Sequence, residues 1–507
     1  MVRKLLKTLL TRRLVVCFLL LVQIVLLAFM IWFRASRFII VALYTLSLFI
    51  VIYVVNRRDK PAYKIAWIIL MLTFPLFGGL LYLILTWQVK SGKFRNNVKE
   101  RDDESASYLP FEESVMEEFC REHGSHIPKV NYLSNFARFP IYKNSRISYY
   151  SPGEEFFPAL LSELEKAERF IFLEFFIIAR DSMWESVLEI LKRKAALGVE
   201  IRLMYDDMGC ISSLPPKYYR EMESYGIKCI AFNSFRPIWS SLQNNRDHRK
   251  IIVIDGKTAV TGGINLADEY INKKKRFGYW KDSAAIIRGE AVRSFTVMFL
   301  QLWNASLNTR EDYSLYFTNT PKDSYNDGYI LPYSDAPTDD ENVCEHVYMQ
   351  IINNARKYVY IETPYFIIDD SMLSAIILAA KSGVDIRIIT PSVPDKKIVH
   401  MTTRSYYSAL IEAGVRIYEY TPGFIHSKIV ISDDDTATIG TANFDFRSLY
   451  LHFECGALIF DSKAVGDMKK DFLDMLPCCH EITKDEAKRN IFVRFGQSVL
   501  RIIAPLL

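Results

Sequence analysis

Three apolar runs crowd the first ninety residues, at 14–33, 38–55 and 65–87. Each is near the roughly 20 residues that cross a bilayer, so the pattern predicts two to three transmembrane helices. The first run is too long for a removable signal peptide and has no small-residue cleavage site. Residues 88–110 mix both charge signs and read as an exposed linker. Beyond them the pattern changes to short β-branched runs set between helical stretches, and it does so twice. Residues 170–178 read as a strand, followed by a helix through Leu197 and a strand over 199–204; residues 358–368, a helix and the strand 383–389 repeat the order. Strands alternating with helices predict a mostly parallel, doubly covered sheet. Residues 312–342, rich in Asp, Asn, Pro and Tyr, form the natural joint. The expected divisions are an anchor over 1–90, a linker over 91–110, and two halves over 111–325 and 326–507.

One polar phrase interrupts the apolar runs twice with identical spacing. His248-Arg249-Lys250, four residues, Asp255, six residues and Gly262-Gly263-Ile264-Asn265 return as His426-Ser427-Lys428, Asp433 and Gly440-Thr441-Ala442-Asn443, 178 residues later. With eight histidines in 507 residues, composition rarely yields one such phrase. Two copies with the same tail mark an internal repeat.

The local shape follows from the runs around it. Residues 251–254 and 429–431 are β-branched and read as buried strands, in which side chains two apart share a face. His248 therefore lies beside Lys250, and His426 beside Lys428. Each Asp stands seven residues from its His, and Asp255-Gly256 is a turn pair. That placement predicts that Asp255 and Asp433 shape the strand end and do not touch the imidazole. A second strand after each turn delivers Asn265 or Asn443.

Two His, two Lys and two Asn converging on one point would make an oxyanion site. Cations and amide donors suit phosphoryl oxygens; one imidazole can attack phosphorus while the other protonates the leaving oxygen. Such a site needs no metal or other cofactor. The eight cysteines include the adjacent pair Cys478-Cys479 and lack zinc spacing, so neither a metal site nor a structural disulfide is expected. A net charge of +5 suits attraction to anionic lipid, and no basic-aromatic RNA signature accompanies it, so nucleic acid is not an expected partner. Lys and Arg around the three apolar runs are too evenly shared to say which side of a membrane the catalytic part faces. Oligomeric state is likewise open.

With these motifs the chain resembles the phospholipase D superfamily, whose signature is the repeated His-Lys-Asp phrase. Residues 244–250, Gly262-Gly263-Ile264-Asn265, Ala267-Asp268-Glu269-Tyr270, Ile361-Glu362-Thr363-Pro364-Tyr365-Phe366 and Asn443-Phe444-Asp445-Phe446-Arg447-Ser448 are similar to bacterial cardiolipin synthases, and the likeness runs from about residue 40 to the C-terminus. One departure is visible: His452 stands before Phe453-Glu454 where the family usually has Asn. The resemblance implies an α/β fold of two repeated halves around one shared active site, behind membrane helices in the bacterial cell membrane. It implies transfer of a phosphatidyl group between two phosphatidylglycerol molecules through a phosphohistidine, giving cardiolipin and glycerol. Lys250, Lys428, Asn265 and Asn443 would hold the phosphoryl oxygens. The superfamily commonly orients each imidazole with a carboxylate about thirty residues downstream, which selects Asp282 for His248 and Glu454 for His426. Relatives mostly attack with the first His, and Arg246, Arg249 and Lys250 give His248 the denser basic setting. Another phosphatidyltransferase, a phospholipase or phosphodiesterase, and a non-enzymatic lipid-binding protein remain as alternatives.

Overall fold

The computed structural model describes residues 37–57, 60–74, 78–79, 81–83, 92–234, 244–488 and 490–506. The expected apolar helix at 14–33 lies outside them, as does part of the one at 65–87. The chain divides into two compact units, one of residues 1–93, 235–245 and 498–507, the other of 94–234 and 246–497.

In the first unit, helices Arg37–Val55 and Pro61–Thr73 pack through Ile50, Val54, Met71 and Tyr82. Pro61 opens its helix, where a missing N–H costs nothing and φ is already set. Apolar side chains also point outward, including Phe38, Leu46, Phe49 and Ile52. Among the described residues, no helix is long and apolar enough to cross a membrane.

The second unit is a mixed α/β body with two large sheets and two two-stranded ones among the described residues. Its first half supplies β1 (Ser145–Tyr150), β2 (Phe170–Phe175), β3 (Glu200–Asp206), β4 (Lys228–Phe232), β5 (Arg246–Asp247), β6 (Ile251–Ile254), β7 (Thr258–Gly262), β8 (Tyr279–Lys281) and β9 (Ala284–Gly289). Seven of these form one sheet in the order β1-β9-β7-β6-β2-β3-β4. Its second half supplies β10 (Tyr329–Asp335), β11 (Tyr358–Glu362), β12 (Phe366–Ile367), β13 (Asp385–Pro391), β14 (Arg416–Tyr420), β15 (Gly423–Ile425), β16 (Ile429–Ser432), β17 (Thr436–Gly440), β18 (Phe444–Asp445), β19 (His452–Phe460) and β20 (Cys479–Glu481). The matching sheet runs β10-β19-β17-β16-β11-β13-β14-β20. The central run is the same in both: β7-β6-β2-β3-β4 and β17-β16-β11-β13-β14.

The sheets are less parallel than the alternation of elements predicts. Along these two strand orders β2-β3-β4 and β11-β13-β14 are parallel, because helical crossovers join β2 to β3 and β11 to β13, and the other neighbours are antiparallel. The motif strand and its successor are joined by a tight turn, which forces an antiparallel hairpin. Strands buried throughout, such as β2 and β11, explain the continuous apolar runs. Helix Val292–Leu307 is apolar on nearly every side and touches both sheets, through β6 and β10.

The stretch expected as an exposed linker is largely a docked helix, Lys93–Ser105. Arg95 Nε donates to Thr338 O at 2.7 Å, Arg101 is buried, and the Phe94 ring meets Phe232 and Phe453 edge-on. Arg95 and Arg101 are spent on backbone carbonyls and neighbouring acids, while Lys99, Glu100, Asp102, Asp103 and Glu104 stay exposed.

Candidate active site

Each motif is built on one hairpin. In the first, Asp255 and Gly256 both sit in the left-handed region, φ 54° and 65°, as a tight turn of this hand demands; Asp433 and Asp434, at 57° and 71°, fill the same places in the second. The Asp255 carboxylate accepts from the backbone N–H of Glu168, Arg169 and Phe170, each at 2.8 Å. Asp433 accepts from those of Arg356, Lys357 and Tyr358 at 2.6, 2.8 and 3.0 Å. The two motif acids thus pin the hairpin turn to the entry of β2 or β11, at the opposite end of the strand from the histidine.

At the other end the two halves exchange strands. β5 leaves its own half to pair in parallel with β19, Asp247 opposite Phe453, and β15 pairs with β8, Ile425 opposite Lys281. The next residue of each pair then faces its partner across the seam: His248 faces Glu454, and His426 faces Asp282. His248 N donates to Phe453 O at 3.0 Å and His426 N to Lys281 O at 2.7 Å, the same bond made twice. The side chains follow. His248 Nδ1 lies 2.9 Å from Glu454 Oε1, and His426 Nδ1 lies 2.7 Å from Asp282 Oδ2.

Both acids expected beside the imidazoles lie there, with the assignment reversed. Asp282 serves His426 and Glu454 serves His248, each acid coming from the half that does not hold its histidine. Spacing along the chain suggested pairing within a half; strand exchange across the seam decides otherwise.

Electrostatics at the seam leave both imidazoles neutral. Burial pushes His248 down to about 3, against the pull of Glu454 and with the push of Lys250. It brings His426 to about 4, helped by Lys428 and opposed by Asp282. Burial would raise Glu454 and Asp282, but the histidines bonded to them, and Lys428 beside Asp282, hold both carboxyls below their ordinary values. A neutral ring donating from Nδ1 to an ionised carboxylate leaves Nε2 with its lone pair. Lys250 and Lys428 are buried too, which lowers them to about 8 and about 7. Lys250 Nζ donates to His248 O at 2.6 Å; Lys428 Nζ reaches His426 O and lies 2.9 Å from His426 Nδ1. Lys250 also bears on His426 and Lys428 through charge, which joins the two motifs in one electrostatic site.

Asn265 and Asn443 occupy equivalent places. Asn265 Oδ1 accepts from Ile177 N and its Nδ2 donates to Tyr270 Oη at 2.7 Å; Asn443 Nδ2 donates to Ser448 Oγ at 3.1 Å. Both hydroxyls come five residues after the Asn, a repeat within the repeat. Gly263 is required by the acid it shelters, since a Cβ there would lie 2.0 Å from Asp282 Oδ1.

The halves differ behind the histidines. Glu174 and Glu362 hold matching places in β2 and β11. Glu174 accepts from Arg249 Nε at 2.6 Å, whereas burial and the nearby Asp471 raise Glu362 to about 8 as it accepts from the Ser427 hydroxyl. Arg246 Nη1 lies 3.4 Å from Asp206 Oδ1. The basic setting expected around His248 is thus neutralised: Arg246 and Arg249 face buried acids, and only Lys250 of the three bears directly on the imidazole.

Comparison with known proteins gives this site its context. A profile described as "Cardiolipin synthase, PLD-like domain" matches residues 160–303 and 348–476, and one described as "Phospholipase_D-nuclease N-terminal" matches 42–85. An uncharacterized protein of Streptococcus mutans is 42% identical over 90% of this chain and 99% of its own length. Cardiolipin synthase of Geobacillus kaustophilus is 35% identical, covering 91% of this chain and 92% of that one. Cardiolipin synthase 2 of Bacillus cereus is 35% identical over 92% and 91%. In fold, the chain is similar to a phosphatidylserine synthase of Haemophilus influenzae, with a TM-score of 0.57, 16% identity, and coverage of 75% of this chain and 97% of the other. By its two matched halves and its near full-length relatives, the chain belongs to the bacterial cardiolipin synthases of the phospholipase D superfamily.

Proposed function

We propose that the chain makes cardiolipin by two phosphatidyl transfers at the seam between its halves. His248 Nε2 attacks the phosphorus of one phosphatidylglycerol, and His426 delivers a proton to the departing glycerol oxygen. The phosphatidyl group then sits on His248. A terminal hydroxyl of a second phosphatidylglycerol, giving its proton to His426, attacks in turn, so the acid of one step is the base of the next. The observation that carries this reading is the pair of buried carboxylates, each accepting from an Nδ1 and freeing an Nε2. Docking of an anionic phosphate beside Lys250 and Lys428 raises both rings toward the range where His426 holds its proton. Lys250 and Lys428 bear the phosphoryl charge; Asn265 and Asn443, tied to Tyr270 and Ser448, are placed to support the same oxygens. Asp255 and Asp433 act through the hairpin they fix.

The two histidines act as a unit, so replacing either costs several orders of magnitude. The variants differ in what accumulates. With phosphatidyl-labelled substrate, acid-labile label appears on protein carrying His426→Ala and is absent with His248→Ala; the reverse pattern exchanges the roles. Because the site's positive charge is supplied by lysines, turnover survives complete chelation of divalent ions, and a loss on EDTA treatment restored by one metal would refute that.

Residues 1–90 serve as a multi-pass membrane anchor in this reading, with two or three of the runs 14–33, 38–55 and 65–87 spanning. Outward apolar side chains on the helix Arg37–Val55 support it.

A further inference from the structure

His452, the residue that departs from the family's usual Asn, is buried to 9% exposure, and neither ring nitrogen lies within hydrogen-bond distance of a partner among the described residues. A buried imidazole without such a partner is costly and calls for an explanation. Its ring centroid lies 5.5 Å from that of His248, and its Nδ1 lies 3.8 Å from Glu454 Oε1. One ligand atom from each of His248, His452 and Glu454 can be chosen so that all lie within 4.8 Å of one another. The closest of these edges, His248 Nδ1 to Glu454 Oε1, is 2.9 Å. Tetrahedral zinc with bonds near 2.0–2.2 Å separates its ligands by about 3.3 Å, so small rotations of two rings would complete a three-ligand face.

We propose that this trio is an inhibitory site for a divalent transition ion of the zinc class. Two imidazoles and one carboxylate are the donor set such ions favour. The ion takes the place of the proton on His248 Nδ1, which leaves to solvent, and Glu454 turns from hydrogen-bond acceptor to ligand. A proton from solvent is taken up at Nε2 in exchange, so the ring stays a neutral imidazole and Nε2 then has no lone pair for phosphorus. The cation of Lys250 opposes the ion, so the site is exchangeable and not structural. Inhibition, though not binding, rests on His248 being an imidazole the reaction needs.

The test uses the full-length protein in detergent, stripped with chelator. Cardiolipin formation is followed as zinc sulfate is added, and cobalt(II) chloride is titrated in parallel while the visible absorption of four-coordinate cobalt is read. The expected results are loss of turnover with zinc, recovery with EDTA, and one cobalt band that His452→Asn abolishes. In His452→Asn the zinc needed to halve whatever turnover remains rises at least about tenfold. Should that variant be inactive, the cobalt difference spectrum decides alone. A cobalt band that persists in His452→Asn, or no band in either protein, overturns the site. A lost band with unchanged zinc sensitivity overturns the inhibition and leaves the site, and neither outcome bears on cardiolipin synthesis itself.

Discussion

Exchanging one carboxylate oxygen for an amide at residue 454 or 282 separates the duties of the two histidines. An amide can present its NH2 to Nδ1, selecting the tautomer that has its proton on Nε2, and such changes cost about 10²–10⁴-fold in rate. Because the acids are crossed, Glu454→Gln silences His248 and prevents the phosphatidyl-enzyme from forming. Asp282→Asn silences His426 and lets that species build up. Trapping labelled enzyme after acid quench distinguishes the two, and the opposite result would restore pairing within each half. The same residues govern acid stability. His248 and His426 titrate near 3 and 4 in the folded chain, below the ordinary 6.5, so the unfolded chain binds more protons between those values. Stability conferred by the neutral rings is complete above about pH 6.5 and is lost as pH falls toward 4 and then 3. Melting temperature measured from pH 7 to 4 falls accordingly, and falls less steeply in His248→Asn. Most of these residues were legible in the sequence as a set, since spacing in a strand fixes which side chains share a face. Arg246 and Arg249 misled because a charge that reads as available in sequence was spent on Asp206 and Glu174, contacts made 40 and 75 residues away.

At the scale of elements, the motif is a hairpin with chemistry at its open end and a clasp at its turn. Replacing Asp255 by Ala strands three N–H groups at the entry of β2. The expected loss is about 1–3 kcal/mol, seen as a lower urea midpoint, with activity falling through displacement of the hairpin. Gly263→Ala is a sharper probe. Its new methyl meets Asp282 before anything else, so a fall in turnover of about 10²-fold accompanies a loss of about 1–3 kcal/mol in stability. A Gly263→Ala variant with native turnover would show that Asp282 is free to move aside. The hairpins, the parallel triplets and the repeat were readable because apolar periodicity and turn residues are local. The antiparallel share of the sheets followed from the Asp-Gly turn, already visible at 255–256, and the prediction of a mostly parallel sheet gave it too little weight. Strand exchange of β5 and β15 was not legible: two- and three-residue strands carry almost no periodic signal.

For the whole molecule, division between anchor and catalytic body falls earlier in the chain than charge alone suggests. Helix Lys93–Ser105 belongs to the catalytic body, held by Arg95 on Thr338 and Arg101 on Thr309. A chain beginning near residue 90 is expected to fold and turn over detergent-dispersed lipid with weaker membrane attachment. One beginning at residue 111 is expected to melt lower and aggregate, as Phe94 leaves Phe232 and Phe453 uncovered. Circular dichroism melts and a vesicle flotation assay separate the two effects.

The seam also behaves as a mechanical gauge. Both imidazoles are tuned by bonds of 2.7 and 2.9 Å that bridge the halves, and a hydrogen bond has little value beyond about 3.5 Å. Opening the halves by under about an ångström therefore disconnects both histidines together, before either sheet has lost a strand. Catalytic competence reports closure of the seam, and a ligand or lesion that wedges it anywhere along β5-β19 or β8-β15 switches off two residues it never touches.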